Sequence, residues 1–161
     1  MVTVGDEAPR FTAPKAGGAA YDDIEPLSLS AALETGPVVL AFYPAAFTGG
    51  CTEEMCTFRD HYDDFAALDA TVYGVSVDLP FAQNVWIREH DLGFPMLSDW
   101  DHELVDRYDV AAESRGMELA ERSVFVIDAS GEVVYRWVRD GENPDFETLV
   151  ADVRAAVETE T

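Results

Sequence analysis

The amino-acid sequence predicts a single-domain α/β protein with a mixed central sheet flanked by helices. Three observations favour this fold class. Short apolar segments rich in β-branched residues alternate with helical patterns along most of the chain. Two further strand-like segments near the carboxyl end are separated by a Gly-containing turn, which is typical of an antiparallel hairpin. A length of 161 residues suits one domain that buries a sizeable core without disulfide staples.

The amino-terminal part is predicted to be largely irregular. Residues 1–26 carry three prolines and a Gly-Gly pair, so they are expected to be extended and looped. Leu27 to Leu29 is predicted to form a short strand. Ser30 is predicted to cap a short helix over residues 31–34, which Gly36-Pro37 ends.

A strand, a loop and a helix are predicted in the middle of the chain. Residues 38–43 are almost wholly apolar, as expected for a strand buried on both faces of a sheet, and Pro44 ends them. Thr48-Gly49-Gly50 has turn chemistry. From Cys51 onward, apolar residues recur at steps of three and four, which indicates an amphipathic helix. Cys51 is therefore predicted to lie in the first turn of this helix.

A second strand and helix are predicted next, followed by a shorter helix. Residues 71–77 predict a strand and the pattern from Pro80 predicts a helix, so a βαβ unit with parallel strands is expected. A short helix is predicted from about His102 to Asp109. Residues 111–121 show no clear period and are predicted to form a loop.

The carboxyl-terminal part completes the sheet. Residues 122–128 and 132–138 flank Ala129-Ser130-Gly131, which predicts an antiparallel hairpin and makes the sheet mixed. Apolar residues then line one face of a final helix, with Asp145 as its candidate cap. A βαβ half followed by a ββα half is the thioredoxin-like arrangement.

The charge balance is strongly acidic. The chain has 32 acidic and 10 basic residues, a formal net charge of -22, and Lys15 as its only lysine. Self-repulsion on this scale loosens a fold at low ionic strength, whereas molar salt shortens the Debye length to roughly 3 Å. We therefore expect a protein adapted to a salt-rich cytoplasm, as in a halophile. Nucleic acid and anionic membranes are excluded as partners by the same charge.

Two further features bear on location and on the role of the cysteines. The first residues lack a basic region followed by an apolar one, and no apolar run approaches the roughly 18 residues of a membrane span, so a cytoplasmic protein is expected. Cys51 and Cys56 are the two cysteines. In a reducing compartment such cysteines are more often catalytic or redox-active than structural.

The position of Cys51 carries chemical meaning. A helix N-terminus presents unpaired N–H groups and a partial positive charge, which favours a thiolate over a thiol. Thr48, three residues earlier, can direct its hydroxyl to the same place. Together these groups predict a small polar pocket that contains a nucleophile.

The motif Pro44-x-x-x-Thr48-x-x-Cys51 resembles the peroxiredoxin signature. Glu54 and Phe58-Arg59-Asp60 are similar to the residues that follow it in the family. The spacing Cys51-x4-Cys56 resembles the bacterioferritin comigratory protein branch. The segments around Phe47 and over 93–99 also resemble the alkyl hydroperoxide reductase E branch. The resemblance extends over nearly the whole chain.

This resemblance implies a thiol peroxidase that reduces hydrogen peroxide or alkyl hydroperoxides without a cofactor or metal. Cys51 is the expected nucleophile, and its N–H and that of Gly50 are expected to donate toward peroxide. The family's pattern gives three more residues a role: Thr48 binds the peroxide and orients the thiolate, Arg122 stabilises negative charge, and Pro44 shields the sulfur from water. Glu54 is expected to hold Arg122 or Arg59, or simply to be a favourable first-turn residue.

Cys56 is the expected resolving cysteine, which would condense with the Cys51 sulfenic acid to form a disulfide. In an intact helix the two Cα atoms would lie roughly 9 Å apart, beyond the ~7 Å limit for a disulfide. Resolution therefore requires the start of the helix to unwind. A thioredoxin-like dithiol is the expected reductant.

Several alternatives remain open at this stage. A general dithiol oxidoreductase would predict Cys-x-x-Cys instead of the spacing found here. A redox sensor that passes its oxidation to a partner protein uses the same first step, and a one-cysteine peroxidase would use an external thiol. Arg115 is an alternative to Arg122, and both a monomer and a homodimer are compatible with the sequence.

Overall fold

The computed structural model describes residues 1–159 and confirms the predicted fold class, a mixed sheet flanked by helices. The strands are β1 Thr12–Ala16, β2 Ile24–Ser28, β3 Val38–Phe42, β4 Thr71–Ser76, β5 Met96–Ser98, β6 Ala111–Ser114, β7 Met117–Ala120, β8 Ser123–Ile127 and β9 Val133–Val138. The helices are α1 Leu29–Leu33, α2 Gly49–Asp60, α3 Tyr62–Ala66, α4 Pro80–His90, α5 Glu103–Arg107 and α6 Phe146–Thr159.

Seven strands form the central sheet, in the order β2-β1-β5-β4-β3-β8-β9. The neighbours β3 and β4 are parallel, as are β4 and β5, which confirms the predicted βαβ unit. The pairs β3–β8 and β8–β9 are antiparallel, which confirms the predicted hairpin. Strand β3 therefore lies inside the sheet, and the chain that leaves its carboxyl end enters α2.

The sheet separates two apolar clusters, and β3 contributes to both. Its residues Val39 and Ala41 pack with side chains from α2, α3, α4 and α6, whereas Val38, Leu40 and Phe42 pack with side chains from α1 and α5. All five side chains are fully buried. This alternation follows from the period of two in a strand.

The amino-terminal prediction was wrong in two respects. Residues 12–16 form β1, which pairs antiparallel with β2 and brings Pro14 opposite Pro26. Prolines inside strands are confined to positions where the ladder needs no N–H, so their presence favoured a loop in the sequence. The predicted cap was also displaced, because Ser28 and not Ser30 accepts the N–H of Ala31, at 3.1 Å, and α1 begins at Leu29.

The prediction of a loop over residues 111–121 was also wrong. Strands β6 and β7 form an antiparallel ribbon of their own, outside the central sheet. Its two-residue turn contains Arg115 and Gly116, both with positive φ, at 52° and 83°. Most of the ribbon's side chains are exposed or half-buried, so the period-two apolar pattern that marks a strand in a sequence is weak here.

Helix α2, which contains Cys51, is held firmly at its carboxyl end. It begins at Gly49, inside the predicted turn, and His61 separates it from α3. The side chain of Arg59 donates to the carbonyl of His90 at 2.7 Å, and His61 Nε2 lies 2.7 Å from a carboxylate oxygen of Glu147 on α6. Across residues 1–159, none of the helices has the length and apolar character needed to span a bilayer.

Candidate active site

Cys51 lies in the first turn of α2, as predicted. Thr48 is the residue at the N-cap, with an extended backbone, and the first helical hydrogen bond runs from the N–H of Thr52 to the carbonyl of Thr48 at 3.0 Å. The N–H groups of Gly50 and Cys51 precede this bond and remain at the open end of the helix. The side chain of Cys51 is almost fully buried, at 1% exposure. The thiol therefore lies beneath the surface at a positive helix end.

Arg122 directs its guanidinium at the sulfur. Its Nη2 donates to Cys51 Sγ at 3.2 Å, and its Nη1 donates to Oε1 of Glu54 at 3.0 Å. The side chain is 3% exposed, and its guanidinium carbon lies 5.5 Å from the centre of the Phe146 ring. Burial alone would lower the pKa of Arg122, but the negative charges of Glu54 and Cys51 outweigh burial and raise it. The guanidinium is therefore charged at every pH of interest.

Glu54 is the carboxylate that holds Arg122, and Arg59 binds elsewhere. The Glu54 side chain is fully buried, and among residues 1–159 its second oxygen, Oε2, has no hydrogen-bond partner. Burial raises the pKa of Glu54 to about 7, against the opposing attraction of Arg122. Glu54 is thus a carboxyl group that changes charge near neutral pH, one turn of helix from the thiol.

Thr48 and Pro44 lie on the exposed side of the site. The Thr48 hydroxyl donates to the carbonyl of Ala45 at 2.8 Å, and its side chain makes no capping hydrogen bond. With its proton used in this way, the oxygen keeps lone pairs that can accept a hydrogen bond from a ligand. Pro44 is half-buried and lines a small surface pocket together with the β6–β7 ribbon and Arg139.

The loop between β3 and α2 is anchored from below by Asp78. Its Oδ2 accepts the N–H of Ala46 at 2.8 Å and the hydroxyl of Ser76 at 2.7 Å. Gln83, which is fully buried, donates to the same hydroxyl at 3.0 Å and to the carbonyl of Leu97 at 2.9 Å. This network fixes the backbone that leads into the N-terminus of α2.

Sequence reasoning missed a polar cluster behind Arg122. Oδ1 of Asn143 accepts from Nε of Arg122 at 3.1 Å and from Nη1 of Arg139 at 2.8 Å. Oε1 of Glu121 accepts from Nε of Arg139 at 2.8 Å and from the backbone N–H of Arg122 at 3.1 Å. Asn143 lies in a Gly- and Pro-containing loop, and nothing in the sequence pattern distinguishes it from an ordinary turn residue.

Cys56 is half-buried and lies on the same continuous helix as Cys51. Five residues of α-helix separate the two side chains by about 140° around the helix axis. Both thiols are free in this structure. The two cysteines therefore do not meet while α2 is intact.

The alternative arginine, Arg115, and two of the histidines make their contacts away from the thiol. Arg115 is exposed in the turn of the β6–β7 ribbon, so the structure favours Arg122 over it. His61 pairs with Glu147, and His102 lies 3.0 Å from Glu118. Within residues 1–159, no group of three or more His, Cys, Asp or Glu side chains is arranged to hold a metal ion.

Comparisons with known proteins agree with this geometry. The model of the AhpC/TSA family matches residues 4–136. Over 104 residues the chain is 40% identical to Peroxiredoxin Bcp of Bacillus subtilis, an alignment that covers 62% of this chain and 66% of that protein. It is 34% identical over 155 residues to the chloroplastic 2-cysteine peroxiredoxin of Chattonella marina var. antiqua, which covers 89% of this chain and 76% of the relative.

The similarity extends to the whole three-dimensional structure. The crystal structure of the peroxidoxin BcpB from Mycobacterium tuberculosis superposes with a TM-score of 0.87 at 30% identity. The superposition covers 100% of this chain and 99% of that one. The β6–β7 ribbon and α6 are therefore part of a shared architecture.

Proposed function

Because the chain belongs to the AhpC/TSA family and is a thiol peroxidase of the peroxiredoxin type, we propose that Cys51 is its peroxide-reducing nucleophile. The observation that carries this proposal is the 3.2 Å hydrogen bond from Arg122 to Cys51 Sγ at the open end of α2. A guanidinium and a helix N-terminus both stabilise a thiolate, and only the thiolate attacks peroxide. No other thiol in the described part of the chain has such surroundings.

The first step transfers one oxygen atom. The Cys51 sulfur attacks the terminal oxygen of ROOH, the O–O bond breaks, and the products are a sulfenic acid and RO⁻, which takes a proton to leave as an alcohol or water. The N–H groups of Gly50 and Cys51 and the Arg122 guanidinium would donate to the peroxide oxygens. Thr48 would accept a hydrogen bond from the peroxide O–H, because its own hydroxyl hydrogen is directed at the carbonyl of Ala45. Donors aimed at the developing negative charge are the main source of rate acceleration.

The second step forms a disulfide. The Cys56 thiol attacks the sulfenic sulfur, and water leaves as the S–S bond forms between Cys51 and Cys56. Because α2 is continuous between the two residues, its first turns must open before this step. Cys56 lies at the edge of the apolar cluster and is only half-buried, whereas its neighbour Met55 is fully buried and would be displaced with it. A thioredoxin-like dithiol would then reduce the disulfide and restore both thiols.

An intact α2 also favours a second scheme, in which an external thiol attacks the sulfenic acid directly. The two schemes share Cys51, Thr48 and Arg122 and differ only in the role of Cys56. In either scheme the chain would act in a cytoplasm of high ionic strength, as a monomer or a homodimer, and its acidic surface would keep nucleic acids and anionic membranes away.

The test is a stopped-flow record of tryptophan fluorescence with hydrogen peroxide in molar KCl. Wild type, Cys51→Ser and Cys56→Ser are compared. Fast oxidation that is lost only in Cys51→Ser supports the peroxidase assignment of Cys51. A disulfide in wild type, with a sulfenic acid that persists in Cys56→Ser, supports the two-cysteine scheme. A reduced, folded wild type with no fast step contradicts the assignment.

A further inference from the structure

The loop between β9 and α6 brings the amide of Asn143 against the active site from outside the sheet. Its Oδ1 accepts two hydrogen bonds, from Nε of Arg122 and from Nη1 of Arg139. Both partners can only donate, so the atom that faces them is the amide oxygen. The amide nitrogen Nδ2 is thereby turned to the other side.

That other side is the start of α2. A Cβ atom built on Gly50 would lie 2.9 Å from Nδ2 of Asn143 and 3.3 Å from Nη2 of Arg122. The Asn143 amide and the Arg122 guanidinium therefore both lie directly against Gly50, one residue before the nucleophile. Any larger residue at position 50 would displace them.

The contact with Arg122 has a geometric consequence. A guanidinium is planar and rigid, so fixing two of its nitrogens fixes the direction of the third. Glu54 holds Nη1, Asn143 holds Nε, and Nη2 then points at Cys51 Sγ. With Glu54 alone, the guanidinium could rotate about its single anchored nitrogen.

Asn143 is itself anchored, although it lies on an exposed loop. Arg139, which shares its Oδ1, donates through Nε to Glu121 at 2.8 Å. The backbone N–H of Arg139 also donates to the carbonyl of Arg122 at 2.9 Å, which ties the loop to the beginning of β8. The amide oxygen is thus held at a fixed place relative to Arg122.

We propose that Asn143 is a positioning residue for peroxide reduction, which acts by holding the Arg122 guanidinium in the orientation that serves Cys51. This inference rests on the proposed function. It assigns no contact with the reacting atoms to Asn143. Asn143 therefore affects the reaction only through Arg122. Replacing Asn143 should have little effect once the Arg122 guanidinium has been removed.

The experiment is a double-mutant cycle in the Cys56→Ser background, which isolates the first chemical step. The second-order rate constant for hydrogen peroxide is measured by stopped flow for Asn143→Ala, Arg122→Lys and the double variant, and trapping of the Cys51 sulfenic acid is quantified by mass spectrometry. Glu142→Gln, in the neighbouring exposed position, is the loop control. NMR of ¹⁵N-labelled protein follows the Nε–H signal of Arg122, identified by its loss in Arg122→Lys.

We expect Asn143→Ala to lower the rate constant by roughly 10- to 100-fold, because small misplacements of a catalytic group have effects of this size. In the Arg122→Lys background the same change should cost less than about twofold. With Arg122 present, Asn143→Ala should shift the Nε–H signal and speed its exchange with water. Glu142→Gln should match its parent.

Three results would overturn the proposal. The first is a rate constant unchanged in Asn143→Ala. The second is an equal loss in both backgrounds, which would mean that the loop acts independently of Arg122. The third is an Nε–H signal that does not respond to the substitution. If the parent itself shows no fast oxidation, the proposed function fails too, and this outcome is distinct because it precedes any effect of Asn143.

Discussion

Oε1 of Glu54 lies 3.0 Å from Nη1 of Arg122, and both side chains are buried at the base of the active site. Breaking a buried pair of this kind leaves an uncompensated charge, so the two residues depend on each other for stability as well as for orientation. Since only one oxygen of the carboxylate has a hydrogen-bond partner among residues 1–159, burial dominates its titration.

Glu54 should make stability fall as pH rises through neutrality. Its pKa is about 7 in the folded protein and 4.5 for an ordinary glutamate, so between these values the folded state binds more protons than the unfolded state. The free energy of unfolding should therefore decrease with rising pH, by about 3 kcal/mol at most from this residue. In Glu54→Gln this contribution should be absent. Urea unfolding of both proteins between about pH 4.5 and 8 measures the difference, and parallel pH profiles would contradict the argument.

Arg122 should be irreplaceable by lysine. Lys keeps the positive charge but has a single nitrogen, so it cannot bind Glu54, Cys51 and Asn143 at once. Arg122→Lys should lower the rate constant for hydrogen peroxide by roughly 100-fold. The matched control is Arg115→Lys in the exposed ribbon turn, which should retain the wild-type rate. Equal losses in both variants would contradict a specific role for the Arg122 guanidinium.

The two glycines at the start of α2 should behave differently. A Cβ on Gly49 meets no atom within 4 Å, whereas a Cβ on Gly50 would lie 2.9 Å from Nδ2 of Asn143. Gly49→Ala should stabilise the helix start by about 0.5 kcal/mol and leave the rate of Cys51 oxidation unchanged. Gly50→Ala should slow that oxidation, because Asn143 and Arg122 must move. Stopped-flow rates and thermal unfolding of the pair would show whether the contact is tight, and equal rates in the two variants would show that it is not.

Disulfide formation should open only one end of α2. Amide hydrogen exchange over residues 49–56 should be faster in the disulfide form than in the dithiol form. Residues 57–66 should keep their protection, because Arg59 and His61 tie the carboxyl end to His90 and Glu147. Cys56→Ser treated with one equivalent of peroxide is the control and should exchange like the dithiol form. Equal protection of residues 49–56 in both redox forms would contradict local unfolding.

Salt should stabilise this protein strongly. With a net charge of -22, screening by molar KCl should add several kcal/mol to the free energy of unfolding, and about 3 kcal/mol corresponds to roughly 10 °C in a domain of this size. Thermal unfolding at 0.1 M and 2 M KCl measures the shift. The control is the same pair of measurements near pH 4, where roughly half of the carboxylates lose their charge and the effect of salt should shrink. A salt effect of the same size at both pH values would point to a cause other than charge screening.

The parts of the fold that the sequence predicted are those that bury a whole strand or helix face. Strand β3 is a continuous apolar run and α2 has apolar residues at steps of three and four, so both were predicted, and the placement of Cys51 followed from them. The β6–β7 ribbon was missed because it is mostly exposed, and β1 was missed because Pro14 argues against a strand. The cap of α1 is Ser28 and not Ser30. Serine and leucine alternate over residues 27–30, so the sequence offers two similar capping positions.

At the candidate site, the pairing of Cys51 with Arg122 was predicted, whereas the finer contacts were not. Cys51 and Arg122 come together as expected, since a thiolate needs a fixed positive partner and the family's pattern places an arginine there. The direction of the Thr48 hydroxyl could not be predicted, because it depends on the position of the Ala45 carbonyl. Asn143 lies 21 residues from Arg122, and its role arises only from the way the loop folds back.

Helix α2 is tied to its neighbours at its carboxyl end and is expected to open at its start, and this difference bears on the lifetime of the protein. If the carboxyl end were as loose as the start, each oxidation would expose Phe58 and its neighbours, and the oxidised chains could aggregate. If the opening stops at residue 56, Phe58 and Phe65 would stay covered, and the fully buried Met55 would be the main core side chain to move. The opened state would then expose little of the core, which would lower the chance that another copy of the chain traps the oxidised protein before it is reduced.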